Sequence, residues 1–185
     1  MRLSLLTLIW VAVAIVLAHP PRVTTISPST ENDTTSIANK LIGGWRLVSV
    51  ETVRSNGEVI YPFYGKHPEG LLTYDRSGWM SVQIVSDPKP TVPRASSREG
   101  FQAAPASEKA TAIDGYYAYF GTWTIDSRGP TVTHHIRESL YPAERGEEGI
   151  RTLKLEGNRL TLTAKAHEMG EEHERRLVWE RLSSQ

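Results

Sequence analysis

GLLTYDRSGWMSVQIV, residues 70–85, is the stretch that decides how this chain folds. Asp75 opens a tight turn and Gly78 closes it, with Arg76 and Ser77 between. A three-residue loop with Gly78 left-handed in a bulge pairs Asp75 with Trp79 and Tyr74 with Met80. Side chains alternate along a strand, so Leu72, Tyr74, Met80, Val82 and Ile84 then share one face, while Trp79, Ser81 and Gln83 take the other. An unbroken apolar face on a hairpin must lie against a core or enclose a cavity.

Outward from the hairpin, the chain has the size of one domain with tails. It holds 185 residues with 21 Lys+Arg against 21 Asp+Glu, so no excess charge draws it to nucleic acid or to an acidic membrane surface. Cysteine is absent, which excludes disulfides, thiolate chemistry and cysteine-based zinc sites. Residues 1–18 read as a secretory signal peptide: Arg2 gives the positive start, an apolar run follows, and Val16-Leu17-Ala18 gives a small-residue cleavage site. An uncleaved anchor is the alternative, although the run is shorter than the about 20 residues a bilayer span needs. Residues 19–40, rich in Pro, Ser and Thr, read as a disordered leader, and Asn32-Asp33-Thr34 is a glycosylation sequon if the source is eukaryotic.

The folded domain is expected over residues 41–185. Residues 45–53 read as a first strand, Asn56-Gly57 as a hairpin turn and 58–64 as a second strand. Residues 87–105 carry four prolines, which bars them from a sheet interior and suggests a flap over one end of the domain. One helix is expected at 107–117, capped by Ser107. Strands resume over 119–125, 131–140, 149–155, 159–164 and 172–182, the third and fourth joined by Gly157-Asn158. Roughly nine strands on short connections with one helix make an all-β antiparallel barrel or sandwich.

The two ends of the domain favour a barrel. Gly43-Gly44-Trp45 opens the first strand, and Leu177-Val178-Trp179-Glu180-Arg181 closes the last. With Pro68-Glu69-Gly70-Leu71-Leu72-Thr73-Tyr74, Gly78-Trp79-Met80-Ser81 and Tyr119-Phe120-Gly121-Thr122-Trp123, this ordered set resembles the lipocalin-like domain proteins of bacteria and fungi, of calycin type. The resemblance implies an up-and-down barrel of roughly 8–10 strands. It also implies that Gly43 and Trp45 start the barrel and that Arg181 stacks over the Trp45 indole to close one end.

If Trp45 points inward, period-two alternation turns Leu47, Ser49 and Glu51 inward as well. The Gly157-Asn158 turn sets Leu155 opposite Leu160 and Leu153 opposite Leu162, which puts Arg151 on the apolar side. His134 shares a face with Val132 and Ile136, while His135 points away. Tyr119 and Trp123 share a face. The candidate ligand-binding set is therefore Glu51, Leu72, Tyr74, Met80, Val82, Trp123, His134 and Arg151. Structural readings stand beside each: Arg151 reaching solvent at the rim, His134 as a satisfied core histidine, Glu51 and Arg151 as a charge pair, Tyr74 and Trp123 as plain core. The sequence carries no phosphate-cradling glycine loop, no dinucleotide fingerprint and no nucleophile elbow, and no metal or other cofactor is expected.

Two functions fit. One is a secreted carrier or sequestering protein for a small hydrophobic molecule with an acidic or carbonyl group, which Arg151 would hold. The other is a cofactor-independent isomerase or cyclase of a hydrophobic metabolite, with His134 as general acid or base and Arg151 stabilising an enolate-like oxygen. Barrels of this kind serve both uses.

Overall fold

The computed structural model describes residues 28–91, 96–126, 129–168 and 170–183, with side chains in the first helix from residue 35 onward. The expected signal peptide lies outside the described residues. Nine strands follow one another as a meander: β1 (Gly43–Arg54), β2 (Val59–Ile60), β3 (Glu69–Tyr74), β4 (Trp79–Val85), β5 (Tyr116–Asp126), β6 (Thr131–Ser139), β7 (Glu148–Glu156), β8 (Arg159–Glu168) and β9 (Glu171–Arg181). Each of β3 to β9 pairs with the next, β1 pairs with both β3 and β9, and β2 only flanks the far end of β1. The result is a closed antiparallel barrel of eight strands, in which every strand edge of the wall finds a neighbour.

The hairpin has the expected register. Tyr74 pairs with Met80, the Asp75 amide donates to the Trp79 carbonyl at 2.8 Å, and Gly78 sits at φ +87°, where other residues are strained. Leu72, Tyr74, Met80, Val82 and Ile84 are all buried, as the alternation requires. The β7–β8 pair likewise sets Leu153 against Leu162 and Leu155 against Leu160.

Three expectations change in extent. Helix α1 (Pro28–Leu41) occupies the second half of what the sequence presents as a disordered leader. Proline suits a first helical position, and Ile37 and Leu41, four apart on one face, pack on the barrel core. That apolar pair supplies the burial that the Ser/Thr-rich composition hides. Asn32 lies within this helix, its side chain outside the described set. The second strand shrinks to Val59–Ile60, because Pro62 cannot donate to a ladder. The mid-chain helix α3 (Ala106–Asp114) ends early, since β5 takes Tyr116 and Tyr117 to pair with Val85 and Ile84. A shorter helix, α2 (Arg98–Ala103), precedes it. No helix among the described residues is long and apolar enough to cross a membrane.

Two bulges reset which residues face inward. In β1, Leu47 pairs with Trp179 but Ser49 pairs with Val178, so Val48 is an extra residue. Before it the odd positions Trp45 and Leu47 are buried; after it the even positions Val50 and Thr52 are. In β6, Arg137 is the extra residue, between Ile136 opposite Gly121 and Glu138 opposite Phe120. Gly121 lies so close to β6 that an added Cβ would stand 2.0 Å from the His135 carbonyl oxygen. Because that neighbour is backbone, Gly121→Ala should destabilise the barrel by about 1–3 kcal/mol in urea unfolding. A midpoint equal to the parent's would mean that the bulge absorbs the methyl group.

One barrel end is closed by its own side chains. Trp45 is fully buried, its Nε1 donates to the Leu41 carbonyl at 2.9 Å, and the Arg181 guanidinium lies 4.1 Å from the ring centroid. Arg181 in turn donates to the Ile42 carbonyl at 3.0 Å and to that of Lys40. Gly43 begins β1, and Arg181 covers the Trp45 ring at this end of the barrel.

Candidate functional site

The opposite end of the barrel opens into a cavity of about 390 Å³, within the usual range for small-molecule sites. Its aliphatic floor comes from Val50, Val82, Ile84, Leu162 and Leu177. Aromatic side chains form most of the wall: Tyr117 and Tyr119 from β5, Trp179 from β9, Phe63 and Tyr64 from the loop before β3. Tyr141 and Glu144, around a single 3-10 turn after β6, complete the rim. No described residue of 87–114 lines it, so the expected flap is not part of this wall. A larger trough, about 750 Å³, lies where β1 and β3 part company after Arg46, but it is the more open of the two and His67, Glu69 and Gln83 line it. The enclosed cavity is the better site, because burial from water is what gives apolar contacts and hydrogen bonds their worth.

At the inner end of this cavity three side chains form a chain of hydrogen bonds. The Tyr74 hydroxyl lies 2.6 Å from His134 Nε2, and the Tyr119 hydroxyl lies 2.7 Å from His134 Nδ1. His134 is 1% exposed. Burial, then the positive charge of Arg151 and then His135, hold its pKa down at about 3, so the ring is neutral at ordinary pH. Burial also pushes the Tyr119 hydroxyl up to about 12, against the pull of Arg151. Tyr74 is raised well above its ordinary value, by burial first and Tyr119 second. All three groups are therefore uncharged hydrogen-bonding groups at neutral pH.

Charge enters from the strands beside them. Arg151 on β7 lines the cavity. Its guanidinium passes over Gly149, where an added Cβ would lie 3.3 Å from both terminal nitrogens; Gly149 itself pairs with His134 across the ladder. Arg151 donates to the Ile150 carbonyl at 3.1 Å, and no carboxylate pairs with it among the described residues. Arg175 lies over the Phe63 ring, 4.2 Å from its centroid. On the rim, Glu144 Oε2 accepts from the Tyr117 hydroxyl at 2.9 Å and from Ser139 Oγ at 2.6 Å.

Of the residues proposed from sequence, Val82, His134 and Arg151 line this cavity together. Leu72, Tyr74 and Met80 face the same way but lie deeper, in the packed core towards the closed end. Trp123 sits beyond them, its ring 4.8 Å from Tyr74 and its Nε1 donating to the Asp75 carbonyl at 3.2 Å. Glu51 is on the outside, a correction that follows from the Val48 bulge. It accepts from Ser49 Oγ at 2.8 Å and pairs with Arg176 at 3.3 Å, so no Glu51–Arg151 pair forms. His135 also faces outward, between Thr124 and Glu148. Among the described residues no three His, Asp or Glu side chains gather as a metal site would require. Sequence reasoning missed Tyr64, Tyr117, Tyr141, Glu144 and Arg175 as wall residues. The run Tyr116-Tyr117-Ala118-Tyr119 held a signal, since Tyr117 shares the inward parity of Tyr119.

A closed eight-strand meander, sealed at one end by a Trp–Arg contact and hollow at the other, is the architecture of a lipocalin-like protein. The family model described as "Lipocalin-like domain" matches residues 42–182, and the chain belongs to that family. No curated protein matches the chain.

Proposed function

We propose that the barrel binds a small hydrophobic molecule carrying one acidic or carbonyl group, and that the protein acts as a secreted carrier or sequestering protein. Arg151 carries the reading: a cation without a carboxylate partner among the described residues, facing a cavity whose lining is mostly aliphatic and aromatic, with Glu144 and Arg175 the other charged members. Arg151 is half-buried at the cavity wall, and an acidic group on a ligand would accept charge-assisted hydrogen bonds from its guanidinium. Secretion rests on the composition of residues 1–18. The isomerase reading needs a histidine nitrogen free to exchange a proton with substrate, and both His134 nitrogens are engaged by tyrosine hydroxyls.

A pair of fluorescent probes tests this: anilinonaphthalene sulfonate, which bears an acid, and N-phenylnaphthylamine, which does not. Arg151→Met should weaken the sulfonate about 10- to 100-fold, the worth of a charge-assisted hydrogen bond, and leave the uncharged amine unaffected. Equal affinity of parent and variant for the sulfonate would remove Arg151 from the site. Native mass spectrometry of protein from its own host would then identify the natural ligand and the mature N-terminus.

A further inference from the structure

The Tyr74–His134–Tyr119 chain has a direction, and that direction selects the ligand. A neutral imidazole has one N–H and one bare nitrogen, so one tyrosine must donate to the ring and the other must accept from it. Tyr74 is 1% exposed and its hydroxyl has no partner other than His134 among the described residues. Were Tyr74 the acceptor, its own hydroxyl hydrogen would be buried with nothing to bond, the costly arrangement. Tyr74 therefore donates to Nε2, the ring carries its hydrogen on Nδ1, and Nδ1–H donates to the Tyr119 oxygen. Tyr119 lines the cavity and has no second acceptor among the described residues. Its hydroxyl hydrogen is left to point into the lumen.

We infer that Tyr119 is the specificity-determining donor of the cavity, and that it selects ligands presenting an acceptor oxygen (a ketone, enone or carboxylate on an aromatic or polycyclic frame) beside Arg151. This rests on the proposed binding function and narrows it. Two further features agree. Arg151, which can only donate, faces the same space. Trp179, another wall residue, keeps a buried indole N–H with no partner among the described residues. The inner end of the cavity thus presents the Tyr119 and Arg151 donors, while on the rim Glu144 accepts from Tyr117 and Ser139 through Oε2. Tyr74 and His134 are positioning residues: they fix which way the Tyr119 hydroxyl faces.

The test has two arms on the full chain. Long-range proton–nitrogen correlation of the imidazole rings, with His134→Gln to assign the signal, reads the tautomer without any ligand. The expected result is a protonated Nδ1 and a pyridine-like Nε2 at neutral pH; a protonated Nε2 overturns the inference. Tyr74→Phe should mix the two tautomers and move both nitrogen signals toward the average. In the second arm the probes are 6-propionyl-2-dimethylaminonaphthalene and the same naphthalene without its ketone. Tyr119→Phe should weaken the ketone about 3- to 10-fold, the worth of one neutral hydrogen bond, and shift its bound emission to the blue, with the ketone-free compound unchanged. Equal losses for both compounds, or none for either, overturn the role of Tyr119. Because the tautomer is read on the empty protein, it stands or falls separately from the Arg151-dependent binding of an acid.

Discussion

Trp45→Ala should destabilise the protein by about 3–5 kcal/mol, the range for truncating a fully buried large aromatic side chain. Several losses coincide at this position. The indole is entirely buried at the closed end, so its removal opens a cavity that eight hydrogen-bonded strands cannot collapse to fill. Its Nε1–H satisfies the Leu41 carbonyl, one of the carbonyls left unpaired at the end of α1. The Arg181 guanidinium, 4.1 Å from the ring, loses the face on which it stacks. In urea the midpoint should fall with little change in slope, because the folded barrel is retained. Arg181→Met, which keeps the indole, removes the about 0.5–2 kcal/mol of the cation–π contact together with the hydrogen bonds to the Ile42 and Lys40 carbonyls. A Trp45→Ala protein within about 1 kcal/mol of the parent would show that the closed end contributes little to holding the barrel.

The second large effect is a dependence on pH. His134 has its pKa held down from 6.5 to about 3 in the folded barrel, by burial first and by Arg151 and His135 after it. Between those two values the unfolded chain binds a proton that the folded chain refuses. The contribution of His134 is therefore fully present above pH 6.5 and is lost as pH falls towards 3, at about 1.4 kcal/mol per pH unit. The side chains around the ring offer no relief: Tyr74 and Tyr119 are neutral, and Arg151 opposes the added proton. Urea unfolding at pH 7, 6 and 5 should show stability falling more steeply in the parent than in His134→Gln, with the slopes differing by about one proton. Comparing slopes rather than absolute stabilities removes the separate cost of the substitution and the titration of carboxylates common to both proteins. Parallel slopes would mean that water or local opening lets His134 protonate in the folded state.

The amino-acid sequence by itself determined the hairpin, its register and the closure of the barrel. Asp75, Gly78 and the alternation from Leu72 to Ile84 are local signals: turn chemistry and period two act over a few residues and need no knowledge of the rest of the chain. Gly43, Trp45 and Arg181 were legible because they stand at the ends of the domain in a set order along the chain. The contents of the cavity were only partly legible. Val82, His134 and Arg151 lie on strands whose alternation is unbroken between the signal that sets the phase and the residue in question. Glu51 lies beyond such a break. The extra residue at Val48 turns it outward to Arg176 and brings Val50 and Thr52 in, and nothing in WRLVSVETV marks Val48 as the residue that bulges. The Tyr74–His134–Tyr119 chain joins β4's hairpin partner, β5 and β6, so it depends on how far those strands are staggered around the barrel. Only the tertiary structure decided that, because the stagger is fixed by the closing β1–β9 pair and by the bulge at Arg137, two constraints that act across the whole sheet.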